Sequence, residues 1–480
     1  MADMLAQDGH MVDVIMNNRV KDHIIMKHAQ ILNFNIPEHV KDAQNFTLNE
    51  LNFDGLAVFK TMQSIIEMQA LFCESLFEDQ LFIKRFQETD YDLVIADMLS
   101  LCSGILSSHL NVTTIFYQNF GFYPDSAGFY PLFPSFTCLS SGIICVTDDM
   151  TFIQKVLNTL LLGAFNYYLS PMMINMQNDV VKKTGIDIKL PLENILEDKI
   201  ILANVDYVLE TPRPKMPHVV TISGLFHKKP LPLSPFFQRI VNQSIQHGLI
   251  LMSFGTAVPK FEAEKAEKFT NVLGKLKQQV IWRYVGEKPQ GLKNNTHLTE
   301  WFPQNDLLAN PASKLFITHC GISSTFESAY NAVPVIAVPL FGDQVANAAK
   351  LTDRVKIGLK VDFHSFTEME LEHRIQEVLT NPMYKENARR AALTMSDQIV
   401  PPVQQFRHLV NFTIKTKGAK HLFHPYAVKM SWFTCFSLDV VTFLLGIFTL
   451  ALALFACLFK LLCKCCCVAK MSSKRKVKKS

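Results

Sequence analysis

Between Trp301 and Gln344 the chain reads WFPQNDLLANPASKLFITHCGISSTFESAYNAVPVIAVPLFGDQ, and its polar residues fall where chemistry could be done. KLFITH (314–319) has the composition of a strand and SSTFE opens a helix, so His319 and Gly321 lie at a strand-to-helix turn. Gly321 lets the backbone turn and come close to a ligand. The free N–H groups at the start of the helix, with its dipole, form a site for an anion, and His319 can donate to a phosphate oxygen. Glu327, one turn into the helix, offers a carboxylate to ribose hydroxyls. Ser324 and Glu327 equally fit a capping box, Ser-x-x-Glu. Trp301 could stack on a base or fill the core. Asp343 and Gln344, at another strand end, suit sugar hydroxyls or cap the QVANAAKL helix.

Placing these groups needs strands that end together. MVDVIM (11–16), YDLVIAD (91–97) and NVTTIFY (111–117) read as strands separated by helical sequence, which predicts a parallel α/β sheet. GLILMSFGT (248–256), VIWRY (280–284), KLFITH and VPVIAVPLFGD (333–343) form a second such run. Proline punctuates 212–235, as in a crossing between domains. The pattern predicts two Rossmann-like domains facing a cleft, with ligands at the carboxyl ends of the strands. The expected boundaries are 1–225, a linker at 226–245, and 246–425. Residues 116–170 are rich in Phe, Tyr, Leu and Met, suiting an apolar pocket, a membrane surface or ordinary core.

The 480 residues carry a formal charge of +4, but eight of the 47 basic residues lie between Lys460 and Ser480, leaving 39 against 43 acidic ones. The body is slightly acidic, which argues against nucleic-acid binding. Val440 to Phe459 is an uncharged apolar run long enough to span a bilayer, and the basic residues after it (460–480) place the C-terminus in the cytoplasm. Lys476 and Lys478 have the spacing of a dilysine ER-retrieval signal. Sequons at Asn45, Asn111, Asn242, Asn294 and Asn411 agree with a lumenal body. Cys463, Cys465, Cys466 and Cys467 suit S-palmitoylation. The remaining cysteines show no CxxC pairs; no structural metal is expected, and their pairing stays open.

The run from Trp301 through Pro303-Gln304, His319, Gly321, Glu327, Pro339 and Asp343-Gln344 resembles the donor-binding signature of the UDP-glycosyltransferases. The likeness is strongest to the membrane-bound animal UDP-glucuronosyltransferases and related invertebrate enzymes. It extends to NPMYKEN (381–387), KGAKHL (417–422), the apolar run and the basic tail. It implies a GT-B fold and transfer of glucose or glucuronate from UDP to a hydroxyl of a small lipophilic acceptor, with inversion and without a metal or other cofactor. Trp301 would stack on uracil, with Gln304 beside the uridine. Glu327 would hold the ribose. His319, Gly321 and Ser323 would face the diphosphate, with Ser253 and Thr256 nearby, and Asp343 and Gln344 would hold the sugar. Cys320 stands where glycine is usual, and Ser323 where the glucuronosyl enzymes carry Asn. Localisation would be the ER membrane, single-pass and type I, with the catalytic domains lumenal; homo- and hetero-oligomers are both open.

The same resemblance assigns Asp97, at the end of YDLVIAD, to holding a catalytic His that deprotonates the acceptor. Gly9-His10 matches a helix end that follows this His in relatives, so His10 is read as structural. MADMLAQ would be the remnant of that helix, and signal peptide, first strand and catalytic His would lie before Met1. The expectation is that this polypeptide lacks its base, and either belongs to a longer active enzyme or serves as a short form that binds UDP-sugar or pairs with full-length relatives.

Overall fold

A computed structural model describes residues 1–17, 26–37, 40, 57–119, 150–164, 168, 170–189, 191–192, 199–212, 215–255, 262–423, 431–435 and 437–477. Its strands are β1 (Asp13–Asn17), β2 (Gln30–Phe34), β3 (Val94–Asp97), β4 (Thr114–Gln118), β5 (Ile200–Asn204) and β6 (Val219–Ile222), then β7 (Leu249–Ser253), β8 (Gln279–Arg283), β9 (Thr296–Thr299), β10 (Ser313–Thr318), β11 (Val335–Ala337) and β12 (Gly358–Lys360). Every pairing is parallel. One sheet has the order β3-β4-β5-β6 and another β12-β11-β10-β7-β8-β9; β1 and β2 pair separately. Among the described residues, β1 and β3 therefore each end a sheet, and the Tyr91 hydroxyl links them by donating to Asp13 at 2.8 Å.

Parallel strands are covered on both faces by their crossover helices, which is why β5 (IILAN) and β7 (LILMS) are buried throughout. Successive residues serve opposite faces. Ile250 and Met252 join the cluster around Trp282, Phe269 and Phe366, whereas Leu249 and Leu251 pack with Phe316, Val335 and Ala329. The first large sheet repeats the arrangement, with Phe116 in one cluster and Ile115 in the other.

Several features depart from the reading of the sequence. The crossing expected at 226–245 contains the helix Pro235–Gln243, whose Ile240 and Val241 pack against Leu249 and Leu251 of the second large sheet. The helix Pro402–Lys415 returns to the first: Phe406, Leu409 and Val410 pack with Ile115, Ile200, Leu202 and Ile222. Its apolar stripe marks an amphipathic helix, but periodicity does not name the sheet that receives it. Of the aromatic-rich region, 120–149 lies outside the described residues, and the helix Phe152–Ala164 exposes Phe152, Ile153 and Leu160.

The short helix Ala2–Gln7 ends as read, at a glycine. Gly9 has φ 95°, its N–H bonds to the Ala6 carbonyl and that of His10 to Leu5, a Schellman pattern that gives His10 a backbone role. A disulfide between Cys73 and Cys102 ties the helix Ala57–Glu78 to the helix Leu101–Leu110, which follows β3. A separate unit contains the helix Leu438–Val477; its first 27 residues, Leu438–Lys464, are long and apolar enough to cross a membrane.

Candidate functional site

In the order β12-β11-β10-β7-β8-β9 the winding reverses between β10 and β7, and open parallel sheets bind ligands at the carboxyl ends flanking such a point. Ser253 ends β7, paired with Thr318 of β10, and His319 follows. The imidazole nests between two glycines: a Cβ on Gly255 would lie 2.5 Å from His319 Nε2, and one on Gly321 2.6 Å from it. Burial pushes the His319 pKa down to about 4, so near neutral pH the ring is an uncharged donor.

Cys320 adopts φ 62°, a left-handed conformation that costs a residue with a Cβ about 1 kcal/mol. Its N–H donates to Thr318 Oγ1 (3.1 Å), and its carbonyl accepts from Thr325 Oγ1 (3.2 Å) and Asn347 Nδ2 (3.1 Å). The thiol is fully buried in the core cluster of Phe316 and Ala329. Cysteine in place of glycine thus leaves the outer side of the turn open.

The helix Ile322–Tyr330 follows, with Gly321 at its N-cap and no side-chain cap. The capping box does not form. Gln304 Nε2 instead donates to Ser324 Oγ (3.0 Å) and to Glu327 Oε2 (2.7 Å). Burial raises the Glu327 carboxyl above its ordinary range, and the Gln304 bond opposes the shift. Trp301 is no core residue: it is 66% exposed, with the Arg283 guanidinium 5.3 Å from its ring centroid. Arg283 is tied down by the carbonyls of Gly255 and Glu300.

Asp343 opens the helix Asp343–Ala349 and accepts from Asn347 Nδ2 at 2.8 Å. Burial raises its carboxyl, with Asn347 and Lys350 acting against the shift. Gln344 does not cap that helix: its Oε1 accepts from the backbone N–H of Leu340 and Phe341 (2.9 and 3.1 Å), shaping the loop from β11. Thr256 lies outside the described residues.

A cavity of about 270 Å³ separates this machinery from the first large sheet. Ser323, Phe326, Glu327 and Tyr330 form one wall; Tyr117, Asn119, Asn204 and the segment Gly224–His227 face them. Asp97 ends β3 in register with Tyr117 and accepts the Leu99 N–H at 2.9 Å. The carboxylate reaches solvent, but the surrounding walls limit its hydration and raise its pKa. Among the described residues no histidine hydrogen-bonds to Asp97.

Reading the sequence missed Asn119, Asn204, His227 and Tyr330. Asn119 Oδ1 accepts from Tyr117 Oη (2.8 Å) and Asn204 Nδ2 (3.1 Å). Tyr330 Oη meets Ser223 Oγ (2.8 Å), which donates to Asp206, and the His227 ring stacks on Tyr330 at 4.5 Å. A signal existed for the two asparagines, since each stands at the carboxyl end of a parallel strand; β5 itself was not recognised.

A reversing six-stranded sheet with a glycine-flanked strand-to-helix turn at its switch point, faced across a cavity by a second parallel sheet, is the architecture of the GT-B fold. Solved structures of this kind align over 86% of the chain: the spinosyn forosaminyltransferase SpnP (TM-score 0.58, 15% identity, 94% of that chain) and a UDP-glucose:anthocyanidin 3-O-glucosyltransferase in complex with UDP (0.57, 14%, 95%). The family model described as UDP-glucoronosyl and UDP-glucosyl transferase matches residues 4–477. Human UDP-glucuronosyltransferase 1A3 is 33% identical over 408 residues, covering 83% of this chain and 75% of its own length. Rat UDP-glucuronosyltransferase 1A8 is 31% identical over 467 residues, covering 93% and 85%. The chain belongs to the UDP-glucuronosyl and UDP-glucosyl transferase family.

Proposed function

We propose that this site binds a UDP-sugar and directs its hexosyl group to a hydroxyl of a small lipophilic acceptor, with inversion at the anomeric carbon. The observation that carries the reading is the cavity itself, which sets Ser323 and Glu327 opposite Tyr117 and Asn119, on the strand beside Asp97. Uracil stacks on the exposed face of Trp301 with Gln304 at the uridine, and Glu327 accepts from the ribose hydroxyls. The diphosphate lies at the uncapped start of the helix Ile322–Tyr330, where amide N–H groups, His319, Ser323 and Ser253 meet its charge. As UDP leaves, negative charge grows on the diphosphate, so these donors bind the transition state more tightly than the ground state. Asp343 and the free amide side of Gln344 hold the sugar. This scheme calls on no metal.

The acceptor hydroxyl needs a base. Asp97 serves to orient a histidine and stabilise its protonated form. Because no described histidine meets Asp97, a second reading stands: the polypeptide binds UDP-sugar without turning it over unaided, alone or paired with relatives. We place the body in the lumen of the endoplasmic reticulum, anchored by the helix Leu438–Val477. The disulfide requires an oxidising compartment, and Asn111, Asn242, Asn294 and Asn411 are exposed. Asn45 and Lys478 lie outside the described residues.

Calorimetry with UDP, followed by transfer assays on chain 1–480, tests both readings. Absence of UDP binding refutes the proposal. Binding with sugar transfer supports the enzyme, and Asp97→Asn should then lower transfer by about 1,000-fold or more while UDP binding persists. Binding without transfer supports the second reading.

A further inference from the structure

We propose that the helix carrying the membrane span is S-acylated just past the bilayer core, on one face, at Cys463, Cys466 and Cys467. The inference rests on the membrane placement given above and is independent of the UDP site. Depth, helical register and compartment carry it.

Residues Val440 to Phe459 hold no charge, and at about 1.5 Å per residue they cover roughly 30 Å, the thickness of a hydrocarbon core. Lys460 is then the first residue at the headgroups on the side of the basic tail. Cys463 follows about 4.5 Å further along the axis and Cys467 about 10 Å, which places them in the headgroup layer and at its outer edge. Cysteines at that depth are within reach of an acyl donor dissolved in the leaflet. The exposed, free thiol of Cys457 lies about 9 Å deeper than Cys463, inside the core.

The helix does not stop at the boundary; it runs unbroken from Leu438 to Val477. At about 100° per residue its backbone sets Cys463, Cys466 and Cys467 within an arc of roughly 100°, and Cys465 on the opposite side. Phe459 shares the three-cysteine face one turn nearer the bilayer. Acyl chains attached there can fold back along that face into the same leaflet and draw the first turns of the tail against it. The eight basic residues from Lys460 onward, with no acidic residue among them, favour the same contact with anionic lipid.

Other fates of these thiols fit less well. Cys73 and Cys102 are bridged, as suits the lumenal body, whereas a cytoplasmic tail is kept reduced; Cys463 is an exposed free thiol. Neighbours in a helix have Cα atoms about 3.8 Å apart, too close for a disulfide. The three consecutive cysteines fan out over about 200° around one helix and cannot converge on a tetrahedral metal ion. In the acylation step the cysteine sulfur attacks the carbonyl carbon of a long-chain acyl-coenzyme A thioester. A new C–S bond forms, the old one breaks, and coenzyme A leaves as the thiol with the proton; nothing is oxidised or reduced.

The test uses the full chain expressed in animal cells and recovered in sealed microsomes. Free thiols are blocked with a permeant maleimide, thioesters are cleaved with hydroxylamine, and the released thiols are tagged with a membrane-impermeant maleimide polymer that retards the band. A hydroxylamine-dependent shift is expected in the parent and in Cys465→Ser. It should disappear when Cys463→Ser, Cys466→Ser and Cys467→Ser are combined. No shift in parent microsomes, even after they are opened with detergent, or a shift that survives the triple substitution, would overturn the inference. A shift that appears only after opening would put the tail in the lumen, and so overturn the membrane placement and this inference together.

Discussion

Replacing Glu327 by alanine should weaken UDP binding by about 100-fold. The carboxylate is fixed through one oxygen, Oε2, which accepts from Gln304 at 2.7 Å, and Oε1 has no protein partner among the described residues. Two ribose hydroxyls donating to this group would form charge-assisted bonds worth about 1.5–3 kcal/mol each. The ion is held in a site that burial makes unfavourable for it, and that cost disappears with the side chain. A net loss of about 3 kcal/mol follows, or roughly two decades in Kd. The assay is a double-mutant cycle in which calorimetry compares UDP with 2′,3′-dideoxy-UDP on the parent and on Glu327→Ala. In the parent the dideoxy ligand should lose a similar factor; in the variant the two ligands should bind almost alike. If the variant discriminates between them as strongly as the parent, Glu327 does not face the ribose and the orientation of the nucleotide is wrong. The pH dependence has a definite sign. Because the folded carboxyl is raised, acidification protonates it earlier than an ordinary glutamate. UDP affinity should then fall as pH falls through the raised value, while the burial penalty on the unliganded fold is relieved over the same interval.

His319 should make the fold acid-sensitive over a different window. Its pKa drops from 6.5 to about 4, so the unfolded chain takes up a proton first, and stability should fall as pH decreases from 6.5 toward 4. The loss approaches about 3 kcal/mol, and urea midpoints measured across that range should flatten in His319→Asn. Breaking the Cys73–Cys102 bridge, which joins residues 29 apart, should cost about 3 kcal/mol and lower the Tm of Cys73→Ser, with UDP binding retained because the bridge lies outside the donor site. An unchanged Tm would mean that the two helices hold each other without it.

What the sequence determined by itself was the side of the cleft proposed for the donor. Trp301, Gln304, His319, Gly321, Glu327 and Asp343 lie within 44 consecutive residues, and the spacing of a strand, a turn and a helix already puts them at neighbouring ends. Strands such as LILMS and the KLFIT of β10 were legible because burial on both faces selects continuous apolar runs. Short strands such as VVTI and GLK were not, because the partners that bury them are distant in the chain. Tertiary structure alone decided the opposing wall. Asn119 and Asn204 meet because β4 and β5 pair across 81 intervening residues, and no local spacing encodes that register. It likewise sent the helix Pro402–Lys415 back to the first large sheet, turned the Cys320 thiol into the core, and left Trp301 exposed. Local periodicity reports which face of an element is apolar; which surface receives that face depends on long-range packing, and there the charge and hydrogen-bonding character of the cavity was set.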